Sequence, residues 1–201
     1  YDGETGAYAM NPDVIMTADL ERVVSVCKEN RLIPQGAYSP LTNAYYAPVW
    51  SGCVDLRTRT LTPTLSDGYN MTTLRSYNNP GSPTFGRPEA IEITTGRTLW
   101  RQDREAPLYG MLTTGGGLVF AADTNRRFYA LDQWTGDVLW KTILSGLSDM
   151  APITYSVEGR QYLAVISPGG TGVARGHRSR MNIQVPMSGH TLFVFALPQS
   201  D

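Results

Sequence analysis

The chain has 201 residues, of which 41% are hydrophobic and 17% are charged, and its formal net charge at pH 7 is −1. This composition is typical of a globular protein, and a net charge near zero argues against a surface that binds nucleic acid. No apolar run approaches the roughly 20 residues that a membrane-spanning helix requires, and the N-terminus lacks a charged-then-apolar signal segment. Because Tyr1 is not preceded by a methionine, we expect a processed or excised product.

The N-terminal half of the chain predicts few strands. Arg22–Val26 is one, and Ala44–Trp50 is another, entered through the turn Ser39–Asn43. Residues 56–88 are rich in turn formers, above all in the run Asn78–Pro83, and predict a long irregular excursion. This half therefore predicts no clean repeat.

A repeat begins close to residue 90. The segment Ala90–Trp100 reads AIEITTGRTLW, and it returns forty positions later as ALDQWTGDVLW over Ala130–Trp140. In each copy Gly96 or Gly136 supplies the left-handed backbone that a tight turn between two strands requires. A unit of about forty residues with four short strands is the content of one β-propeller blade.

The third residue of each copy is an acid, Glu92 in the first and Asp132 in the second. Turns favour a side-chain acceptor at such a place, so we predict that both carboxylates accept hydrogen bonds from the turn backbone. Neither acid belongs to a pair of carboxylates, and the sequence gives no support to a hydrolase.

The remaining predicted strands follow at regular spacing and no segment has a sustained helical period, so we predict an all-β fold. A closed propeller needs at least about 160 residues, and the first ninety predict no blade. We therefore predict an incomplete β-propeller whose missing blades come from another polypeptide, because an open ring exposes strand edges and apolar faces. The predicted strands after the first repeat copy are Gly117–Ala122, Arg127–Leu131, Ile153–Val157, Gln161–Ile166 and Thr191–Leu197.

The tryptophans have different predicted roles. Trp100 and Trp140 close the two repeat copies, and we predict that each packs between neighbouring blades with its N–H on a backbone acceptor. Trp134 lies in a turn, where we expect an exposed or partner-facing ring. For Trp50, a structural role and a contact with substrate both stay open.

Cys27 and Cys53 are the only cysteines of the chain. In an oxidising compartment they could form a disulfide that stabilises the fold by about 3 kcal/mol, and two separate buried thiols are the alternative. Together with His177 and His190 they lack the ligand spacing of a zinc site.

The segment Gly170–Gly176 resembles a dinucleotide-binding glycine loop, but that function requires a helix directly after the loop. Residues His177–Pro186 show no helical period, so we interpret the loop as a flexible crossing between strands. The basic side chains of this region predict a solvated loop, with a docking surface for an acidic partner as the alternative; they are Arg175, His177, Arg178 and Arg180.

Five segments in order resemble the C-terminal part of pyrroloquinoline quinone (PQQ)-dependent alcohol dehydrogenases. The resemblance covers most of the chain and is weakest over residues 56–88. The segments are Gln35–Asn43, Leu112–Phe120, the repeat copy that ends at Trp140, Gly159–Val165 and Leu192–Pro198.

This resemblance implies that the whole chain, residues 1–201, is part of an eight-bladed propeller domain that holds the quinone and a calcium or lanthanide ion near its axis. It implies a periplasmic enzyme that oxidises an alcohol and passes electrons to a cytochrome or a similar acceptor. The family's metal ligands, catalytic aspartate and vicinal cysteine pair belong to the N-terminal part. The resemblance therefore implies no catalytic or metal-binding residue in this chain, which is inactive alone and docks on a larger N-terminal chain.

The resemblance also implies candidate contacts with the quinone. The family often places an asparagine shortly before its Ala-Tyr-Ser-Pro segment, and Asn30 is the nearest match, with a polar turn residue as the alternative. Tyr109, followed by Gly110, stands at or beside the family's tryptophan before two glycines, which implies a main-chain contact with the cofactor. A non-catalytic propeller-repeat scaffold of the bacterial envelope is the alternative function.

Overall fold

The computed structural model describes residues 4–7, 11–15, 21–30, 35–60, 69–82, 84–168 and 190–197; for residues 28–30, 59–60 and 69–73 the description covers the backbone. The glycine-rich loop Gly170–Gly176 and the basic cluster around it lie outside these residues. Within them, no helix is long and apolar enough to cross a membrane.

The secondary structure of the described residues is a 3₁₀ turn at Pro12–Val14 followed by β-strands. The strands are β1 (Val23–Asn30), β2 (Ala37–Ser39), β3 (Ala44–Thr60), β4 (Tyr69–Asn78), β5 (Gly86–Glu92), β6 (Thr98–Arg101), β7 (Leu108–Thr113), β8 (Leu118–Asp123), β9 (Arg127–Asp132), β10 (Val138–Ile143), β11 (Ile153–Val157), β12 (Arg160–Ser167) and β13 (Thr191–Ala196).

The chain forms two compact units. The first comprises Tyr1–Lys28 and Gly52–Asn79, and the second comprises Glu29–Ser51 and Pro80–Asp201. The assignment of the whole chain to one propeller domain stays a prediction.

The prediction of an irregular excursion over residues 56–88 is wrong for residues 56–60, 69–78 and 86–88, which lie in strands. In the first unit, the second half of β3 pairs with β4 in an antiparallel ladder from Gly52 opposite Asn78 to Thr60 opposite Tyr69, with one register shift after Asp55. Most of the turn formers that suggested a loop lie after the ladder, and pairing between β3 and β4 organises the residues before them.

A disulfide joins Cys27 of β1 to Cys53 of β3 in the first unit, so the pairing of these two cysteines is confirmed. It closes a loop of 26 residues, which corresponds to about 3 kcal/mol of stabilisation by the loop-entropy estimate.

Asp55 lies close to the disulfide in sequence, and three side chains donate hydrogen bonds to its carboxylate. Its carboxylate accepts hydrogen bonds from Ser25 Oγ at 2.8 Å, Arg75 Nε at 3.0 Å and Tyr77 OH at 3.2 Å. These bonds, above all the one from Ser25, hold the pKa of Asp55 below its usual value. The three strands of the first unit therefore meet at one carboxylate.

The second unit contains three sheets. The first sheet is built from β2, residues Ala44–Trp50 of β3, β5 and β6, which pair antiparallel in that order. The second sheet has the order β7-β8-β9-β10, and the third has the order β11-β12-β13. The second sheet has the four strands that the repeat predicts, and the first has these four together with β1 and β4, which also pair with β3.

The same turn follows β5 and β9, and we name Glu92–Gly96 the first repeat turn and Asp132–Gly136 the second. Gly96 has φ +73° and Gly136 has φ +79°, as the left-handed turn position requires. The carboxylate of Glu92 or Asp132 accepts two backbone N–H groups of its own turn at 2.8 to 3.1 Å. The predicted role of both acids is confirmed.

Trp100 attaches the first sheet to the second. Its ring is buried, and its Nε1 donates to the carbonyl oxygen of Gln133 at 2.9 Å. The same carbonyl accepts a hydrogen bond from Tyr46 OH, also at 2.9 Å. The ring lies directly on Gly136, where a Cβ atom would be 2.8 Å from Cδ2 of the indole. The predicted packing of Trp100 and its backbone acceptor are confirmed.

Trp140 lies between the second sheet and the third. Its ring meets Phe128 edge-on at 6.1 Å between centroids and Phe195 at 5.3 Å. The predicted packing is confirmed, although the ring stays 40% exposed, and the acceptor for its N–H stays a prediction.

The other two tryptophans differ in burial. Trp134 is 53% exposed, as predicted, and lies over Gly117. Trp50 is buried against Phe85, with ring centroids 5.2 Å apart, which gives it a place in the core.

Replacing Trp100 by phenylalanine should lower the free energy of unfolding by about 1–3 kcal/mol, because the variant loses a buried hydrogen bond and part of the ring contact. The matched control is Trp134→Phe, which we expect to stay within about 0.5 kcal/mol of the parent because that ring is exposed. Urea unfolding followed by circular dichroism measures both. Equal losses in the two variants would contradict the role of Trp100.

Acid should weaken the first repeat turn. Hydrogen bonds from the Thr95 hydroxyl and the turn backbone lower the pKa of Glu92 to about 2. A lowered pKa stabilises the fold above the unfolded value of about 4.3, and this contribution disappears as pH falls toward 2. We expect the parent to exceed a Glu92→Gln variant in urea midpoint at pH 6 by more than at pH 2.5. A difference that does not change with pH would refute this assignment.

Candidate functional site

The first strands of the sheets come together along one side of the second unit. β2 and β7 are edge strands of the first and second sheets, and they contact each other. The backbone N–H of Met111 donates to the carbonyl of Gln35 at 2.8 Å, and Thr113 Oγ1 donates to the carbonyl of Tyr38 at 2.7 Å. The second half of β7 is therefore fixed against β2 and the segment that enters it.

The segment that enters the third sheet approaches β7 at Gly110. The φ of this glycine is +54°, and a Cβ atom there would lie 2.3 Å from the backbone nitrogen of Ala151 and 2.4 Å from the carbonyl carbon of Met150. These two residues lead into β11. Because such distances are far below van der Waals contact, only glycine allows the two backbones to approach so closely. The pairing of β7 with β8 is irregular here, between Tyr109 and Leu112.

Tyr109 and Gly110 therefore lie where the beginnings of β2, β7 and β11 meet, and this group of backbone segments is the candidate site. Tyr109 is only 2% exposed. Gly110 is buried as well, and the predicted main-chain contact of these two residues with the cofactor stays a prediction. Asn30 ends β1, and its side chain lies outside the described residues, so its role stays a prediction.

Sequence reasoning missed Gln35 and the pair Met150–Ala151. Met150 is 45% exposed beside Gly110, so its side chain is available for contacts. Each of these residues comes just before the first strand of a sheet. Aligning the residues that begin the first strand of each sheet would have placed Gln35, Met150 and Ala151 at positions equivalent to those near Tyr109.

A buried ionic group supports the same end of the second sheet. Asp123 lies opposite Leu108 at the start of β7 and is almost fully buried. Its carboxylate accepts the Tyr129 hydroxyl at 2.9 Å and two backbone N–H groups of the β8–β9 turn at 2.8 Å. The Arg104 guanidinium lies 4.5 Å from the centre of the Tyr129 ring.

Burial raises the pKa of Asp123, and it is also the main cause that raises the pKa of Tyr129 to about 12. The Asp123 carboxylate accepts these hydrogen bonds from the β8–β9 hairpin, whereas the Arg104 guanidinium donates to Gln102 Oε1 at 2.8 Å. The evident function of this ionic group is to fix the β8–β9 hairpin next to the site.

The described residues contain no group of three or more histidine, cysteine, aspartate or glutamate side chains able to hold a metal ion. What they offer a cofactor is backbone at a close crossing of strands and an exposed methionine. The fit of this set to a quinone stays a prediction.

Comparison with known proteins identifies the family. Residues 15–163 match the family model described as "Glucose/ethanol/alcohol dehydrogenase, beta-propeller domain", whose short name is PQQ. The chain belongs to this family. The predictions of an all-β incomplete propeller and of the PQQ-dependent alcohol dehydrogenase family are confirmed.

The relatives of this propeller section are much longer than the chain. The 1-butanol dehydrogenase (quinone) of Thauera butanivorans is 30% identical over 166 residues, which are 82% of this chain and 26% of the relative. The 1-butanol dehydrogenase (cytochrome c) of the same organism is 31% identical over 131 residues, 65% of this chain and 18% of the relative. The chain thus spans about a quarter or less of these two relatives.

Among solved structures, a europium-containing methanol dehydrogenase is similar to the chain with a TM-score of 0.69 and 26% sequence identity. The similarity covers 82% of this chain and 32% of that one. The propeller section described here therefore has its counterpart in about a third of a solved dehydrogenase.

A methyl group at Gly110 should disrupt the candidate site. Gly110→Ala adds backbone strain of about 1–2 kcal/mol and forces β7 away from the segment that enters β11. Gly159→Ala is the matched control, because Gly159 has φ +79° and open space around its Cβ position. We expect Gly110→Ala to be the less stable variant in urea unfolding, and to increase hydrogen exchange at the start of β11. Equal destabilisation would show that the close approach contributes nothing.

Proposed function

We propose that this chain is a section of a PQQ-dependent alcohol dehydrogenase of the periplasm and completes the propeller around the quinone. In this proposal a larger N-terminal chain or segment supplies the calcium or lanthanide ligands and the catalytic aspartate. Family membership supports the class of enzyme, and the similar proteins are named as alcohol-oxidising dehydrogenases.

The uncovered face of the third sheet carries the proposal. The register of β11, β12 and β13 places apolar side chains of all three strands on one face, where they are 40% to 61% exposed. They are Ile153, Tyr155, Val157, Ile166, Leu192 and Val194.

The opposite face of this sheet packs on the second sheet through Leu163, Val165, Phe193 and Phe195. A sheet with two apolar faces requires a cover on both sides, because a contiguous exposed patch of this kind marks an interface. In a repeat structure the natural cover is a further sheet of the same kind. The section is therefore continued by more blades.

Tyr109 and Gly110 are proposed to contact the quinone through their main chain, and Asn30 through its side chain. When bound, the quinone accepts a hydride or its equivalent from the alcohol carbon. The residues of this chain hold the cofactor rim and exclude water, while the aspartate of the larger part takes the hydroxyl proton. A cytochrome is the proposed electron acceptor, which the name of the cytochrome c-linked butanol dehydrogenase supports.

The test is reconstitution of the intact assembly that contains this chain with PQQ and either calcium or a lanthanide. We expect quinone absorbance to co-purify with the assembly, dye-linked oxidation of a primary alcohol such as 1-butanol, and no oxidation by this chain alone. An assembly that takes up no quinone and oxidises no alcohol would favour a non-catalytic envelope scaffold. Activity of the isolated chain would exclude the need for a larger part.

A further inference from the structure

Met150 presents an exposed apolar side chain at the candidate site. It is 45% exposed, whereas Tyr109 is 2% exposed and Met111, the next residue but one in β7, is 3% exposed. Gly110 between them is buried and has no side chain. Of these four residues, Met150 is therefore the one that offers a ligand apolar surface.

The main chain of Met150 is fixed from two directions. On one side β7 lies against it, since a Cβ atom at Gly110 would be 2.4 Å from the carbonyl carbon of Met150. On the other side Ser148 Oγ donates to the carbonyl of Ile166 at 2.6 Å, and both Leu147 and Ser148 are fully buried. The side chain can thus change its rotamer while the main chain stays in place.

A methionine in such a position suits an apolar ligand of variable shape. Its side chain is unbranched, has three rotatable bonds and carries a polarisable sulfur, so it adapts to the group that it contacts. A primary alcohol has its hydroxyl and reacting carbon at one end and an apolar chain at the other. Each methylene that moves from water to an apolar contact strengthens binding about fourfold.

We propose that Met150 is a specificity-determining residue of the dehydrogenase. Its side chain contacts the apolar chain of the bound alcohol and favours longer primary alcohols over ethanol. This inference rests on the proposed function: where the main chain of Tyr109 and Gly110 contacts the quinone, the neighbouring Met150 lies beside the approach of the alcohol to the cofactor. The thioether exchanges no proton, so Met150 selects the substrate and takes no part in the chemical step.

The first experiment measures kcat/KM for ethanol and 1-hexanol with the intact assembly, reconstituted with PQQ and metal. We expect Met150→Ala to lower the ratio of 1-hexanol to ethanol about fivefold, mainly through KM, because the variant loses the apolar contact. Met150→Leu should keep the parental ratio, since it conserves the volume of the side chain. An unchanged ratio in Met150→Ala would overturn the proposal.

Leu41→Ala is the matched control for this experiment. Leu41 is 50% exposed, which is close to the exposure of Met150, and it lies in the turn Ser39–Asn43 after β2. We expect this variant to keep the parental ratio of 1-hexanol to ethanol. A shift as large as that of Met150→Ala would assign the effect to general loss of exposed apolar surface and overturn the specific role.

Methionine oxidation gives a readout that does not depend on turnover. Hydrogen peroxide transfers one oxygen atom to the thioether sulfur, which yields the sulfoxide and water. In the unmodified, quinone-loaded assembly without an electron acceptor, 1-hexanol should slow sulfoxide formation at Met150 about threefold or more, because the bound chain covers the sulfur. Met111 is the internal control, and we expect its oxidation to be slow with and without the alcohol. Equal oxidation of Met150 in both conditions would overturn the proposal.

Quinone absorbance of the same samples separates the failure of this inference from that of the proposed function. If the assembly holds quinone and oxidises alcohols while both readouts at Met150 stay unchanged, the specificity role fails and the proposed function stands. If the assembly takes up no quinone and oxidises no alcohol, the proposed function fails and the specificity role fails with it.

Discussion

The carbonyl oxygen of Gln133 is the point on which the arrangement of the sheets depends. It accepts both the Trp100 indole and the Tyr46 hydroxyl, two donors from the first sheet, and the second repeat turn that presents it is held by Asp132. The rings of Trp100 and Tyr46 bury a large apolar area, and their N–H and O–H donors fix the orientation of the contact. Because one carbonyl receives both donors, the two sheets can pack in one register only.

The candidate site follows from this packing. Tyr109 and Gly110 gain their position because β7 is held against the segment before β2, and the backbone of Ala151 approaches Gly110 from the third sheet. No side chain creates the site by itself. Backbones of two sheets can approach this closely only where no side chain separates them, and glycine at this crossing allows it.

The third sheet has an exposed apolar face, and this surface supports the proposal that further blades continue the section. Repeat proteins join neighbours through such local interfaces, so a section can be well formed and still depend on its neighbours for stability.

The sequence by itself determined the repeat and the two turns with their acids and glycines, because these depend on neighbours within a few residues, and the forty-residue period indicated the packing of Trp100 and the family. It left open whether Cys27 and Cys53 form a disulfide, and it misjudged residues 56–60 and 69–78, where the pairing of β3 with β4 decides the structure. Tertiary structure alone placed Met150 and Ala151 against Gly110 and separated the exposed Trp140 from the buried Trp100. Those outcomes depend on contacts between distant segments, which local pattern does not encode.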